Sequence, residues 1–204
     1  MVRILAGATA LIGWTALVLQ LGILVDNMGP FPALWRFIGF FTLLTNVGVA
    51  GVSTAIALGK GRMARPRARL LAATSIAIVG IVYSIALRGA WDPKGLQKVA
   101  DVALHDAMPI MFVLLWFIAP HPRLAWKEAA WALVPPALYA VYAVARGALD
   151  GWYAYWFLDP TTRSPVEMLV ALGTILGAAA VIAVILVAFD RWLGQEQAEQ
   201  IKSD

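Results

Sequence analysis

Apolar residues gather in six runs, at roughly 4–25, 35–58, 70–89, 100–119, 128–147 and 166–190, separated by short polar breaks. Each run is close to the ~20 residues that a helix rising ~1.5 Å per residue needs to cross ~30 Å of hydrocarbon. The pattern predicts an all-α polytopic integral membrane protein: a bundle of six transmembrane helices over residues 1–194 and a polar tail over 195–204. The first run follows Arg3 as a secretory signal would. It is too long for a signal core and ends in VDNMGP without a small-residue cleavage site, so it reads as a helix. Composition agrees. The 204 residues are 61% hydrophobic and 14% charged, with a mean hydropathy of +0.77, more apolar surface than one soluble core hides. Without cysteine the chain has no disulfide, no haem thiolate and no zinc-thiolate site.

Charge sets the expected orientation. The break GKGRMARPRAR holds Lys60, Arg62, Arg65, Arg67 and Arg69, and Arg3, Arg123, Lys127 and Arg191 fall at the same side of the six-helix map. By the positive-inside rule that side is cytoplasmic, with both termini on it, in a multi-pass protein of the cell membrane. The basic run reads as an orienting loop with affinity for anionic lipid rather than as a nucleic-acid site. Asp26, Asp92, Asp101, Asp106, Asp150, Asp159 and Glu167 map to the opposite, outer half. The aromatic run GWYAYWF over 151–157 supplies an interfacial belt there.

Local signals punctuate these helices. Ser164, Pro165 and Glu167 form the start signal of helix six. Helices three and five each end in Arg-Gly-Ala, at 88–90 and 146–148, as if a basic last turn were closed by a glycine cap. Pro109, and the pair Pro135 and Pro136, remove backbone donors inside predicted spans and should bend them.

The stretch ALHDAMP at 103–109 sets His105 beside an aspartate where the surrounding residues predict lipid. An ionisable group at that depth is costly and marks a functional site by default. Asp101 lies one turn away on the same helix face. On the second span RFIGFFTLLTN places Thr42, Thr45 and Asn46 on one face, with Thr42 seven or eight residues below the outer boundary and level with His105. Tyr83 and Ser84 on helix three and Tyr142 on helix five reach a comparable level, and Arg36, Arg88 and Arg146 would ring the mouth. A histidine suits the task of activating a threonine hydroxyl, with Asp101 orienting the imidazole and Asn46 or freed amides stabilising an oxyanion. That assembly implies acyl transfer on a lipid ester reaching the site from the membrane, with Thr45 as a rival nucleophile. A proton-coupled transporter or a lipid-binding sensor built on Asp101, His105 and Asp106 remains open. One deep histidine does not make a metal site, and His121, roughly 24 Å away at helical rise, excludes a two-histidine haem, so no cofactor is expected. Oligomeric state is not readable.

The sequence of Arg36, FFTLLTN, LHDAMP and RGALDGWYAYWFLDP over 146–160 resembles the androgen-induced-gene family of six-helix membrane proteins, in its bacterial branch. The resemblance spans helices two to six. It implies a threonine hydrolase of fatty acid esters of hydroxy fatty acids, with the threonine falling on Thr42 and the histidine on His105.

Overall fold

A computed structural model describes the backbone of residues 1–203 and the side chains of residues 1–196. The expected polar tail at 195–204 begins as a continuation of the last helix, and its side chains beyond 196 lie outside the described residues. In chain order the helices are α1 (Val2–Met28), α2 (Pro30–Phe37), α3 (Phe41–Leu58), α4 (Pro66–Val82), α5 (Gly95–Val102), α6 (Met108–Ile118), α7 (Glu128–Ala132), α8 (Val134–Asp150) and α9 (Pro165–Ser203). No strand occurs among the described residues. Six stretches are long and apolar enough to cross a membrane: Val2–Met28, Phe41–Leu58, Pro66–Ala90, Gly95–Ile118, Glu128–Asp150 and Pro165–Glu196.

The second of these is shorter than its apolar run. Gly29, with φ of 80°, ends α1, and Pro30 at the first helical position starts the short α2. A tight turn follows, in which the Gly39 amide donates to Arg36 O at 3.0 Å. Phe40 is then extended, and α3 starts at Phe41. Thr42 therefore sits in the first turn of its helix, not seven or eight residues along it. Helices three and five also close differently from expectation. Arg88–Ala90 forms a 3₁₀ turn, whereas Arg146 and Gly147 stay inside α8, which is capped by Gly151 at φ 72°. At α9 the expected start signal forms in full: the Ser164 amide donates to Glu167 Oε2 at 2.8 Å, and the Glu167 amide donates back to Ser164 Oγ at 3.3 Å.

The centre of the bundle is α4, which packs on α3, α6, α7 and α9, while α1 covers α3 and α6. Leu70, Ile76, Met108, Phe112 and Leu115 are buried in the shared core. Outside, Leu11, Val18, Ile85, Leu138, Val141 and Val170 are exposed on several helices. Apolar exterior on this scale marks a surface that meets lipid or other protein rather than water.

Proline shapes the inner surfaces. Pro135 and Pro136 follow the break between α7 and α8 at Leu133. Pro109 lacks an amide, and the turn before it, Ala103–Ala107, widens into a π turn that joins α5 to α6, with the Met108 amide bonded to Ala103 O. A second π turn, Tyr83–Leu87, extends α4. Gly80 lets the two spans approach: a Cβ there would lie 3.1 Å from Pro109 Cβ.

Candidate active site

The π turn explains how a polar side chain comes to be fixed in the interior. With the Met108 amide given to Ala103, and Pro109 having none to give, Leu104 O is left without a partner in its own helix. Asn46 from α3 supplies it, donating from Nδ2 to Leu104 O at 3.2 Å and to Thr42 O at 2.8 Å. Asn46 is fully buried, so this bond ties α3 to the α5–α6 span at the level of the π turn. Both amide hydrogens are thereby committed, and Asn46 is a brace rather than an oxyanion donor.

One turn before the π turn, Asp101 is buried, and its carboxylate and backbone carbonyl both face His105. His105 Nδ1 lies 3.1 Å from Asp101 Oδ1 and 3.0 Å from Asp101 O. The Asp101 carbonyl is an acceptor, so Nδ1 is the side of the ring that donates to it, and Nε2 has no hydrogen-bond partner among the described residues. Tyr83 stacks on the imidazole at 3.9 Å between ring centroids and donates its hydroxyl to Asp101. The two π turns thus hold the two stacked rings opposite each other on neighbouring spans.

Thr42 reaches the same place by a different route. Most membrane threonines satisfy their hydroxyl on the carbonyl one turn back, as Thr9, Thr54 and Thr174 do here. Thr42 is the second residue of α3, and the carbonyl four residues back, Ile38 O, lies outside that helix and accepts from Tyr142 Oη at 3.2 Å. Its neighbour is Tyr155, from the loop between α8 and α9. The Tyr155 oxygen lies among the Phe41 and Thr42 amides and the Thr42 and Tyr139 hydroxyls, and the Thr42 amide donates to it at 3.4 Å. Burial raises the Tyr155 pKa and keeps the phenol neutral.

A cavity of about 360 Å³ brings these groups together. Thr42, Tyr83, Asp101, His105 and Tyr155 line it, and Gln20 and Gln97, joined at 2.8 Å, stand on its α1–α5 side. Thr42 and Tyr155 also line a narrow apolar pocket with Val82, Phe157 and Leu172. The cavity that holds His105 and an apolar recess therefore meet at Thr42.

The other candidate residues lie elsewhere. Thr45 and Tyr142 line a separate groove of about 490 Å³ between α3, α4 and α8. None of the three arginines lines the Thr42 cavity. Arg36 lies over the Trp152 ring at 4.0 Å, and the buried Arg146 is held between Trp35 and Trp152 and paired with Asp150 at 3.3 Å. Arg88 is nearest, pairing with Asp106 and lying over the Tyr83 ring at 4.7 Å. Arg146 is a strut for the α2–α8 contact. Arg146→Ala should cost about 2 kcal/mol of stability, read by thermal unfolding. Sequence reasoning missed Tyr155 because GWYAYWF was absorbed whole into an aromatic belt. Its signal was a tyrosine in a tryptophan-rich loop, which gives a buried ring a polar end to place.

The opposite end of the bundle holds a second buried histidine. His121 Nδ1 lies 3.0 Å from Asp190 Oδ1, and the Leu124 amide donates to Asp190 Oδ2 at 2.6 Å. This pair joins α9 to the connection after α6. No cluster of three or more histidine, cysteine, aspartate or glutamate side chains suited to a metal ion occurs among the described residues. No protein-family model, no curated protein and no solved structure matches this chain.

Proposed function

We propose that this is a multi-span membrane enzyme that hydrolyses lipid esters, with Thr42 as nucleophile and His105 as its base. Within that class, the resemblance noted above favours the androgen-induced-gene family, whose substrates are fatty acid esters of hydroxy fatty acids. One observation carries the proposal: a threonine hydroxyl excluded from helical hydrogen bonding and a histidine oriented by a buried aspartate line one cavity, which meets an apolar recess at the threonine.

The chemistry follows from these positions. His105 Nε2 takes the Thr42 proton as Oγ attacks the ester carbonyl, and Asp101 stabilises the imidazolium that forms. The neutral Tyr155 phenol, whose oxygen takes the first amides of α3, has its own hydrogen to stabilise the tetrahedral oxyanion. The alcohol leaves with the proton held by His105. Water, deprotonated by the same imidazole, then attacks the acyl-threonine and releases the acid, restoring Thr42. By the positive-inside rule, the arginine-rich loop at the end of the bundle away from Thr42 supports a site in the outer half of the cell membrane.

Placement in different cavities favours Thr42 over Thr45. Thr45→Ala should leave hydrolysis of a long-chain ester within about threefold of wild type, since Thr45 does not line the His105 cavity. Thr42→Ala should not. Turnover lost in Thr45→Ala and kept in Thr42→Ala would reverse the assignment.

A further inference from the structure

The hydrolase reading leaves unused the arginine loop and the large groove at Thr45 and Tyr142. The loop folds over a cavity of about 560 Å³ lined by Arg62, Arg65, Arg67, Leu71, Leu124 and Glu128. Arg67 is already committed: it forms a two-pronged pair with Glu128 at 2.5 and 2.7 Å and lies over the Trp131 ring. Arg62 and Arg65 are exposed and have no carboxylate partner among the described residues. Three guanidinium groups against one carboxylate leave this cavity positive.

Ala68 and Leu71 line both this cavity and the groove between α3, α4 and α8, so the two spaces adjoin there. Along α3 the groove runs from Val52 to Phe41, about 16 Å at helical rise, close to half of a ~30 Å hydrocarbon core. Its walls are mainly apolar, with Met63, Leu44 and Leu138 exposed along it. Trp126 and Trp131, both exposed, flank the basic end as interfacial tryptophans do. A positive cavity at interfacial level, beside an apolar groove one leaflet long, matches a single lipid.

We propose that these adjoining spaces bind one anionic phospholipid, its phosphate on Arg62 and Arg65 and one acyl chain along the α3–α4–α8 groove. Arginine suits the task because its planar fork meets two phosphate oxygens at once. The proposal rests on the chain spanning a membrane and is independent of hydrolysis.

The test is thermal unfolding of the full chain in a neutral detergent, with added dioleoylphosphatidylglycerol, dioleoylphosphatidylcholine or inorganic phosphate. Phosphatidylglycerol should raise Tm by about 3 °C or more, and neither other addition should. Arg62→Gln with Arg65→Gln should abolish the rise and leave Tm in phosphatidylcholine unchanged, since neither side chain has a partner to lose. Arg3→Gln with Lys127→Gln, which removes equal charge at the same end, should keep the rise. Equal shifts with both lipids, a shift with phosphate alone, a rise surviving in the Arg62 and Arg65 variant, or its equal loss in the control variant would each overturn the proposal.

Discussion

Thr42→Ala is expected to lower hydrolysis of a fatty acid ester of a hydroxy fatty acid by about 10⁴-fold or more, and His105→Ala by a similar factor. The size follows from shared work. Without the hydroxyl there is no covalent intermediate, and without the imidazole the hydroxyl is too weak a nucleophile. For the same reason the double variant should be scarcely slower than either single one, because groups acting as a unit are not additive. Folding should survive in Thr42→Ala, since the α3 amides and the Asn46 brace remain. Steady-state turnover in detergent or vesicles reads the loss, and unchanged thermal unfolding separates it from misfolding. Additive losses would show that the two residues act in separate steps.

The largest effect on stability is expected at the other end of the bundle. Asp190→Ala removes a carboxylate that is nearly fully buried and that serves both His121 and the Leu124 amide. Each buried polar group that loses its partner costs about 1–3 kcal/mol, so His121 Nδ1 and the Leu124 amide together make the loss about 4 kcal/mol. For a chain of this length that is a fall in Tm of roughly 10 °C. Ester turnover below the unfolding temperature should change little, since this pair does not line the Thr42 cavity. A fall of less than 2 °C would show that water reaches His121 and Leu124 and replaces the carboxylate.

The helices were legible in the sequence because lipid-length apolar runs leave few alternatives, and the α9 start signal formed as written. The break before α3 was harder to see. IGFF is apolar throughout, so hydropathy runs straight across it, and Gly39 alone hints that the chain turns there. That break is what frees the Thr42 hydroxyl from helical bonding. Pro109 announced a disturbed helix, but not that the disturbance would be a π turn whose unpaired Leu104 carbonyl is met by Asn46. The spacing of Asp101 and His105 placed them one turn apart, and their contact follows. The arginines were misplaced for a definite reason. Position along a helix gives depth, but it does not show that Trp35 and Trp152 stand ready to cover Arg36 and Arg146. His121 was set aside as too distant for a shared haem, and its partner Asp190, on a helix far along the chain, had no local signal.

The measurement that bears most directly on the central claim is covalent labelling of the purified protein with a fluorophosphonate, in which an activated hydroxyl displaces fluoride and forms a phosphonate ester. The account predicts labelling in wild type and in Thr45→Ala, and none in Thr42→Ala or His105→Ala, with the tag mapping to Thr42. Folded wild-type protein that takes up no label, or label retained after Thr42→Ala, would contradict a Thr42 nucleophile; proton flux through Asp101 and His105 would then be the activity to measure.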